Sequence, residues 1–349
     1  MARATRGRDQ KGEVSRWNEL KGFSFKAAKS RRGPCLFPVE PTCTTKTCEA
    51  HSIQNRAILD SLAEEGHVIM LRTRRVARGQ QLRAEFKWVG RNDATTFAGL
   101  CAPHDAKLFT PIDQRPLDLE DREQLFLLAY RSVLRQAHAI PTGTRILERV
   151  AEKKTQLGLP DREEAAVASG PIRRLRDDVG PIGEEKDAFD RAYLGSEFGD
   201  VEHEIAWTLS SPPSLAVSSF FSIGCNSRNH RQLPVALNVF PHDGQHAIVF
   251  SYRKPSKPLA QDLVFALKRT SGEERLRAVS RLVLKNCEHF VLRPSLYSSF
   301  GKEQEQLMRD YYLGTLYTET LGRYEIEPVP GLVKGDDVEK LNLFKAIAR

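Results

Sequence analysis

Two Cys-x2-His pairs, Cys48 with His51 and Cys101 with His104, constrain the fold of this chain more than any other feature of its 349 residues. In such a pair, one tight turn brings a thiolate and an imidazole within reach of a single metal ion. One pair alone is weak evidence, whereas two pairs supply the four ligands of a tetrahedral Zn²⁺ site. The spacing therefore predicts a structural zinc that joins two distant segments of the chain.

The spacing leaves two ligand sets open. The first set consists of the two pairs themselves, so that His51 is a ligand and the site is closed. The second set replaces His51 by another thiol, and its members are Cys43, Cys48, Cys101 and His104. Cys35 is a substitute for one of these cysteines. In the second set His51 stays available for chemistry, so the choice between the sets separates a scaffold from an enzyme.

The net charge of +8 is concentrated near the N-terminus. Residues 1–35 contain ten basic and three acidic residues, and the rest of the chain is almost neutral. We interpret residues 1–34 as a basic flexible arm, a composition that suits phosphate contacts. The arm lacks the apolar core of a secretory signal, and the sequence has no apolar run long enough to span a bilayer. A cytoplasmic location without membrane contact is therefore predicted.

A second basic stretch lies between residues 67 and 91. Alternating apolar and charged residues predict two strands joined by a turn, a β-hairpin with a basic outer face. Residues 72–91 include seven basic residues and a single acidic one. A charge this one-sided indicates a surface for an anion, and nucleic acid, DNA rather than RNA, is the predicted partner. The residues predicted to contact it are Arg72, Arg74, Arg75, Arg78, Arg83 and Lys87.

The order of predicted elements indicates an α+β fold with a zinc-stapled N-terminal module, a helical middle and a mixed strand and helix C-terminal domain. The predicted units are the arm at 1–34, a zinc-knuckle module at 35–115, a helical connector at 116–183 and an α+β domain of unknown role at 184–349. Within the connector, one helix is expected to end before Pro141 and a second helix to follow it.

The pattern C-x4-C-x2-H-S-I … N-D … G-L-C-x2-H-D-x-K-L-F, over residues 43–109, resembles the zinc-bearing branch of the HNH (His-Me finger) endonucleases. In that family two cysteine knuckles hold a structural zinc and clamp a small ββα-metal motif. The resemblance implies that His51 is a general base acting on water, that Asn92 is the orienting asparagine and that Asp105 ligates a catalytic Mg²⁺ or Mn²⁺. It assigns the structural zinc to Cys43, Cys48, Cys101 and His104.

Two functions from different classes are consistent with these features. The first is a zinc-stabilised nucleic-acid-binding protein that acts as an HNH-like endonuclease, a metal-dependent hydrolase with His51 as its base. The second is a non-catalytic scaffold whose zinc is structural and whose residues 184–349 bind a protein partner. The two functions differ at His51: its loss leaves zinc and folding intact in the endonuclease and removes zinc or stability in the scaffold.

Overall fold

The computed structural model describes residues 2–29, 33–38, 43–75, 82–159, 164–208, 214–224, 232–270, 272–317 and 341–345. Within these residues the strands are β1 (Ala50–His51), β2 (His67–Arg75), β3 (Leu82–Gly90), β4 (Thr96–Phe97), β5 (Val201–Thr208), β6 (Leu215–Gly224), β7 (Gln232–His242), β8 (Gln245–Arg253) and β9 (Phe290–Leu292). The helices are α1 (Ala2–Lys29), α2 (Asp60–Leu62), α3 (Ala102–Asp113), α4 (Arg122–Gln156), α5 (Glu164–Leu194), α6 (Lys257–Arg269), α7 (Gly272–Asn286), α8 (Pro294–Ser299) and α9 (Lys302–Tyr317). Helices and antiparallel strands together confirm the α+β class. In the described part of the chain, no helix is both long and apolar enough to cross a membrane.

Seven of these strands form one antiparallel sheet in the order β3-β2-β9-β6-β7-β8-β5. The predicted hairpin is β2–β3, and it occupies one edge of the sheet. Strand β9 connects the hairpin to the rest, with Ile69 opposite Leu292. The sheet therefore combines strands from two of the predicted units, 35–115 and 184–349. Strands β1 and β4 form a separate two-stranded sheet.

The two faces of the large sheet pack against different helices, because side chains alternate between the faces along each strand. In β7, Ala236 and Phe240 belong to the core cluster that contains residues of α3, α4 and α5. Their neighbours Val235, Leu237 and Val239 belong to the opposite cluster, which contains residues of α6, α7 and α9. The sheet is thus the middle layer of the molecule, and the N-terminal segments lie on the α4 side.

The middle of the chain differs from the prediction at Pro141. One continuous helix, α4, runs through this position, where the sequence predicts an end and a restart. A proline inside a helix removes a backbone hydrogen bond and costs about 3 kcal/mol. Nearby residues of the same helix, including Leu134 and Ile140, are buried in the core cluster on this side of the sheet. Burial of such side chains stabilises the helix enough to outweigh the local cost.

Residues 1–34 also differ from the predicted flexible arm, because α1 occupies most of them. Leu20 and Ala27 lie seven residues apart, on one side of the helix, and both are buried. The Arg149 guanidinium of α4 lies 5.8 Å from the centroid of the Phe23 ring. The C-terminal half of α1 is therefore packed against α4. Apolar residues at helical spacing supply this contact surface within a segment whose overall composition is basic.

His246 in β8 makes the stability of the fold depend on pH. Its side chain is buried, and Nε2 accepts hydrogen bonds from the backbone N–H groups of Ser214 and Leu215, each at 3.2 Å. Burial lowers the pKa of His246 to about 4. The folded state therefore favours the neutral ring, and protonation at Nε2 would break both hydrogen bonds. The stabilisation is complete above the unfolded pKa of about 6.5 and is lost as the pH falls to 4.

We expect this histidine alone to lower the free energy of unfolding by about 3 kcal/mol between pH 6.5 and 4. Urea unfolding at pH 7.0, 6.0 and 5.0 measures the effect. His246→Gln keeps an acceptor of similar size and does not titrate, so its free energy of unfolding should fall less steeply with acid than that of the wild type. Equal slopes for the two proteins would contradict the prediction.

Candidate functional site

The structure brings together three thiols and one imidazole, those of Cys35, Cys43, Cys101 and His104. Their Sγ and ring-nitrogen atoms all lie within 4.8 Å of one another. Cys35 follows Gly33 and Pro34, Cys43 lies in an irregular segment before β1, and the other two residues lie at the start of α3. Three thiols and one imidazole match the ligand types and the coordination number of a tetrahedral zinc site, so this thiol–imidazole group could hold a metal ion such as zinc.

Short contacts connect the members of the group. The backbone N–H of Cys101 donates to Sγ of Cys35 at 3.4 Å, and the same sulfur lies 3.4 Å from Nδ1 of His104. The sulfurs of Cys43 and Cys101 are 3.9 Å apart. Hydrogen bonding to Thr45 lowers the pKa of the Cys43 thiol, whereas burial raises the pKa of the Cys101 thiol. A bound cation would favour the thiolate of both residues, because a coordinating thiol loses its proton.

The surroundings hold the ligands in place. The His104 ring stacks on Phe37, with ring centroids 4.2 Å apart and planes 13° from parallel. The backbone N–H of Leu36 donates to the Gly99 carbonyl at 2.9 Å, which joins the segment around Cys35 to the one that leads into α3. Neighbours that orient metal ligands in this way strengthen metal binding.

Cys48 belongs to both predicted ligand sets but lies outside this group, and Cys35 takes its place. Thr47 forms an isolated antiparallel bridge with Cys101, and the Cys48 backbone N–H donates to the Leu100 carbonyl at 2.8 Å. Successive residues of an extended segment point to opposite sides. Thr47, and not Cys48, is therefore the residue opposite Cys101, and the Cys48 sulfur lies outside the group although it interacts electrostatically with Cys101.

His51 also lies outside the thiol–imidazole group. It lies on β1, where it pairs with Thr96 of β4 in antiparallel register. Strand β4 leads into α3, whose first turn follows Cys101. Strands β1 and β4 and helix α3 thus form a ββα unit, with the potential metal ligands at the junction of β4 and α3. The first of the two predicted ligand sets, which uses His51, does not correspond to this geometry.

The hydrogen bond of His51 determines which ring nitrogen is available for chemistry. Nε2 lies 3.2 Å from the backbone carbonyl oxygen of Arg91. A carbonyl oxygen only accepts, so this contact assigns the proton of the neutral ring to Nε2 and leaves the lone pair on Nδ1. Burial lowers the pKa of His51 below its ordinary value of 6.5. The ring is therefore neutral at pH 7, as a general base must be.

Asn92 lies next to His51 but contacts it through the backbone. It belongs to the turn at 91–95, together with Arg91, and backbone groups of both residues interact with the His51 ring. The side-chain oxygen of Asn92 instead accepts a hydrogen bond from Nδ2 of Asn55 at 3.1 Å. The predicted orienting asparagine is thus placed beside the predicted base, with its amide directed to another partner.

Asp105, in the first turn of α3, shares a polar region with an ion pair whose arginine is buried. Arg131 of α4 is 3% exposed and donates two hydrogen bonds to Asp113, at 2.9 and 2.6 Å. Its guanidinium lies 4.0 Å from the centroid of the Phe109 ring. Both His51 and Asp105 interact electrostatically with this ion pair, and burial raises the pKa of Asp105. Among the described residues Asp105 belongs to no cluster of metal ligands, so the Mg²⁺ or Mn²⁺ site stays a prediction.

The hairpin β2–β3 exposes part of the predicted basic surface. Arg72, Arg83 and Lys87 are exposed, and the register places them on one face of the hairpin, with Arg72 opposite Glu85. In the register of the hairpin, Arg74 is opposite Arg83 and Arg75 is opposite Leu82. Arg78 lies outside the described residues. We call Arg72, Arg83 and Lys87 the basic face.

Sequence reasoning did not single out Asp113 and Arg131. The signal for Arg131 was present, because a basic residue within the apolar run of α4 indicates either a buried ion pair or a break in the core. The sequence pattern does not identify its partner, because Asp113 lies 18 positions earlier in the chain, at the end of another helix.

No protein-family model matches the sequence, and neither the curated proteins nor the solved structures include a significant match.

Proposed function

We propose that this protein binds nucleic acid on the basic face and hydrolyses a phosphodiester bond at His51, within a module that zinc stabilises. One observation carries the proposal. His51 lies on β1 of a ββα unit whose junction holds the thiol–imidazole group, and that group is complete without His51. Strands β1 and β4 are not consecutive, because α2 and the hairpin β2–β3 lie between them in the chain. A histidine beside a metal centre but outside its ligand set is available for proton transfer.

The proposed reaction uses Nδ1 of His51, because Nε2 contacts the Arg91 carbonyl. Nδ1 takes a proton from a water molecule while the water oxygen forms a bond to phosphorus. The phosphorus bond to the leaving oxygen breaks, and that oxygen takes a proton from solvent. The carbonyl of Arg91 holds the ring in the tautomer that this step requires. Proton transfer by a positioned base contributes about 10²- to 10⁴-fold to a rate.

Negative charge that develops on the phosphate requires cations nearby. The resemblance implies a divalent ion at Asp105, and carboxylates are the ligands that Mg²⁺ prefers. Arg131 is committed to its ion pair with Asp113, so we assign it a positioning role between α3 and α4. The positive charge of the basic face attracts the phosphate backbone over a long range. The basic face lies on the α4 side of the sheet, the side that also carries the ββα unit.

The experiment that tests the proposal measures binding and cleavage together. Wild-type protein is titrated into labelled single-stranded and duplex DNA at several salt concentrations, and then incubated with Mg²⁺, Mn²⁺ or EDTA. We expect affinity to fall steeply as salt rises, because each phosphate contact releases counterions. We expect cleavage products with a divalent ion. Absence of binding to any nucleic-acid probe would overturn the proposal and leave the scaffold with a protein partner as the remaining function.

Charge reversal on the basic face should weaken binding specifically. Among the described residues Arg83 has no ion-pair partner, so Arg83→Glu removes an uncompensated cation. We expect lower affinity for every nucleic-acid sequence. The slope of log affinity against log salt concentration should become shallower by about one unit for each phosphate that Arg83 neutralises. Lys257→Glu makes the same charge change on α6, beside the opposite edge strand β5, and should leave binding unchanged. An equal decrease in affinity in both variants would show that only net charge matters.

A further inference from the structure

The end of the hairpin beside His51 carries an exposed aromatic pair. Trp88 lies on the edge strand β3 and is 54% exposed. The register places His67, Gly90 and Trp88 on the same face, with His67 opposite Gly90. The rings of His67 and Trp88 have their centroids 6.3 Å apart and meet edge to face at 63°. About half of the Trp88 surface is therefore open to solvent.

Gly90 leaves a gap beside the two rings. A Cβ built at this position would have one neighbour within 4 Å, the Oδ2 atom of Asp93 at 3.7 Å. The two exposed rings lie on the same face of the hairpin as this open position, and a carboxylate lies at its edge. An aromatic surface beside a hydrogen-bond acceptor is the combination that recognises a nucleobase, because the ring stacks and the carboxylate accepts from an exocyclic amino group.

The gap lies at the end of the hairpin from which the chain continues to the proposed base, because Arg91, whose carbonyl oxygen contacts His51, directly follows Gly90. Lys87 precedes Trp88 and points to the opposite face, which carries the basic residues. Because β3 is an edge strand, a nucleic-acid backbone that runs along the edge can contact Lys87 on one face while a base reaches Trp88 on the other.

We infer that Trp88, His67 and Asp93 form a binding site for an unpaired nucleobase that carries an amino group, such as cytosine or adenine. The inference rests on the proposed function and names its substrate class, because a base inside a duplex is stacked on its neighbours and cannot enter the gap. The substrate is therefore single-stranded or locally unpaired nucleic acid. Stacking on Trp88 holds one nucleotide while a phosphate further along the strand lies at His51.

The test compares binding of a fluorescein-labelled single-stranded 20-mer with binding of its duplex. Trp88→Ala should weaken binding of the single strand by about 5- to 150-fold and leave duplex binding nearly unchanged. Trp88→Phe should recover part of the affinity, because it keeps an aromatic face. The matched control is Trp207→Ala, which removes a tryptophan that is 40% exposed on β5, at the opposite edge of the sheet, and should change neither affinity.

A second measurement addresses the carboxylate. The wild type should bind oligodeoxycytidine more tightly than oligothymidine, and Asp93→Asn should reduce that preference. If the wild type binds nucleic acid but Trp88→Ala binds the single strand as tightly as the wild type, the base site is refuted and the proposed function stands. If Trp88→Ala and Trp207→Ala weaken binding equally, the base site is refuted as well. If the wild type binds no probe, both proposals are refuted.

Discussion

Replacing His51 by alanine is expected to slow cleavage of nucleic acid by about 10²- to 10⁴-fold while the zinc content of the protein stays the same. The first effect follows from the removal of the only ring nitrogen that we assign to proton transfer. The second follows from the geometry, because the thiol–imidazole group is complete without this residue. Cleavage under single-turnover conditions and metal content by mass spectrometry are the two measurements.

The matched control for this substitution is His242→Ala, which removes a histidine from the end of β7, in the C-terminal half of the chain. It should leave both cleavage and zinc unchanged. Burial lowers the pKa of His51, so the cleavage rate of the wild type should rise with pH through a pKa below 6.5 and stay level above it. Zinc lost in the His51 variant would make the residue a ligand, and the proposed reaction would then be wrong.

Replacing Cys35 by serine is expected to remove most of the bound zinc, whereas the same replacement at Cys48 is expected to keep it. Cys35 lies within 4.8 Å of the other potential ligands, and Cys48 lies outside the group. A hydroxyl is a poor ligand for Zn²⁺ compared with a thiolate, so we expect the affinity of the Cys35 variant to fall by more than about 100-fold. Competition with a chromogenic chelator measures this affinity.

Zinc binding should also be visible as stability. Structural zinc contributes to folding free energy, because the unfolded chain lacks a preformed site. The melting temperature of the wild type should therefore fall on treatment with a chelator and recover when zinc is added. The Cys35 variant should melt at the lower temperature with or without zinc, and the Cys48 variant should respond like the wild type. If the two variants exchanged these behaviours, the ligand set would be the one that the sequence spacing favours.

Local sequence patterns predict much of the secondary structure. The hairpin β2–β3 follows from alternating apolar and charged residues. Strand-like runs at 203–209, 215–223, 235–240 and 247–252 predict β5, β6, β7 and β8, and helices predicted at 259–268, 273–287 and around 302–313 correspond to α6, α7 and α9. The exceptions are informative. Pro141 does not end α4, because nearby residues of the same helix, such as Leu134 and Ile140, are buried in the core. The basic segment at the N-terminus contains a helix, α1, whose residues Leu20 and Ala27 are buried.

The gathering of cysteine and histidine residues near the N-terminus and the basic character of the hairpin follow from local spacing and composition, so both can be seen in the sequence. Which cysteines come together depends instead on the packing of distant segments. Cys35 and Cys43 reach Cys101 from a distant part of the chain, and Thr47 rather than Cys48 pairs with Cys101. The position of His51 on β1, outside the ligands and against the Arg91 carbonyl, depends equally on long-range packing. Spacing along a chain sets which residues share a turn, whereas contacts between distant segments are set by the packing of the whole core.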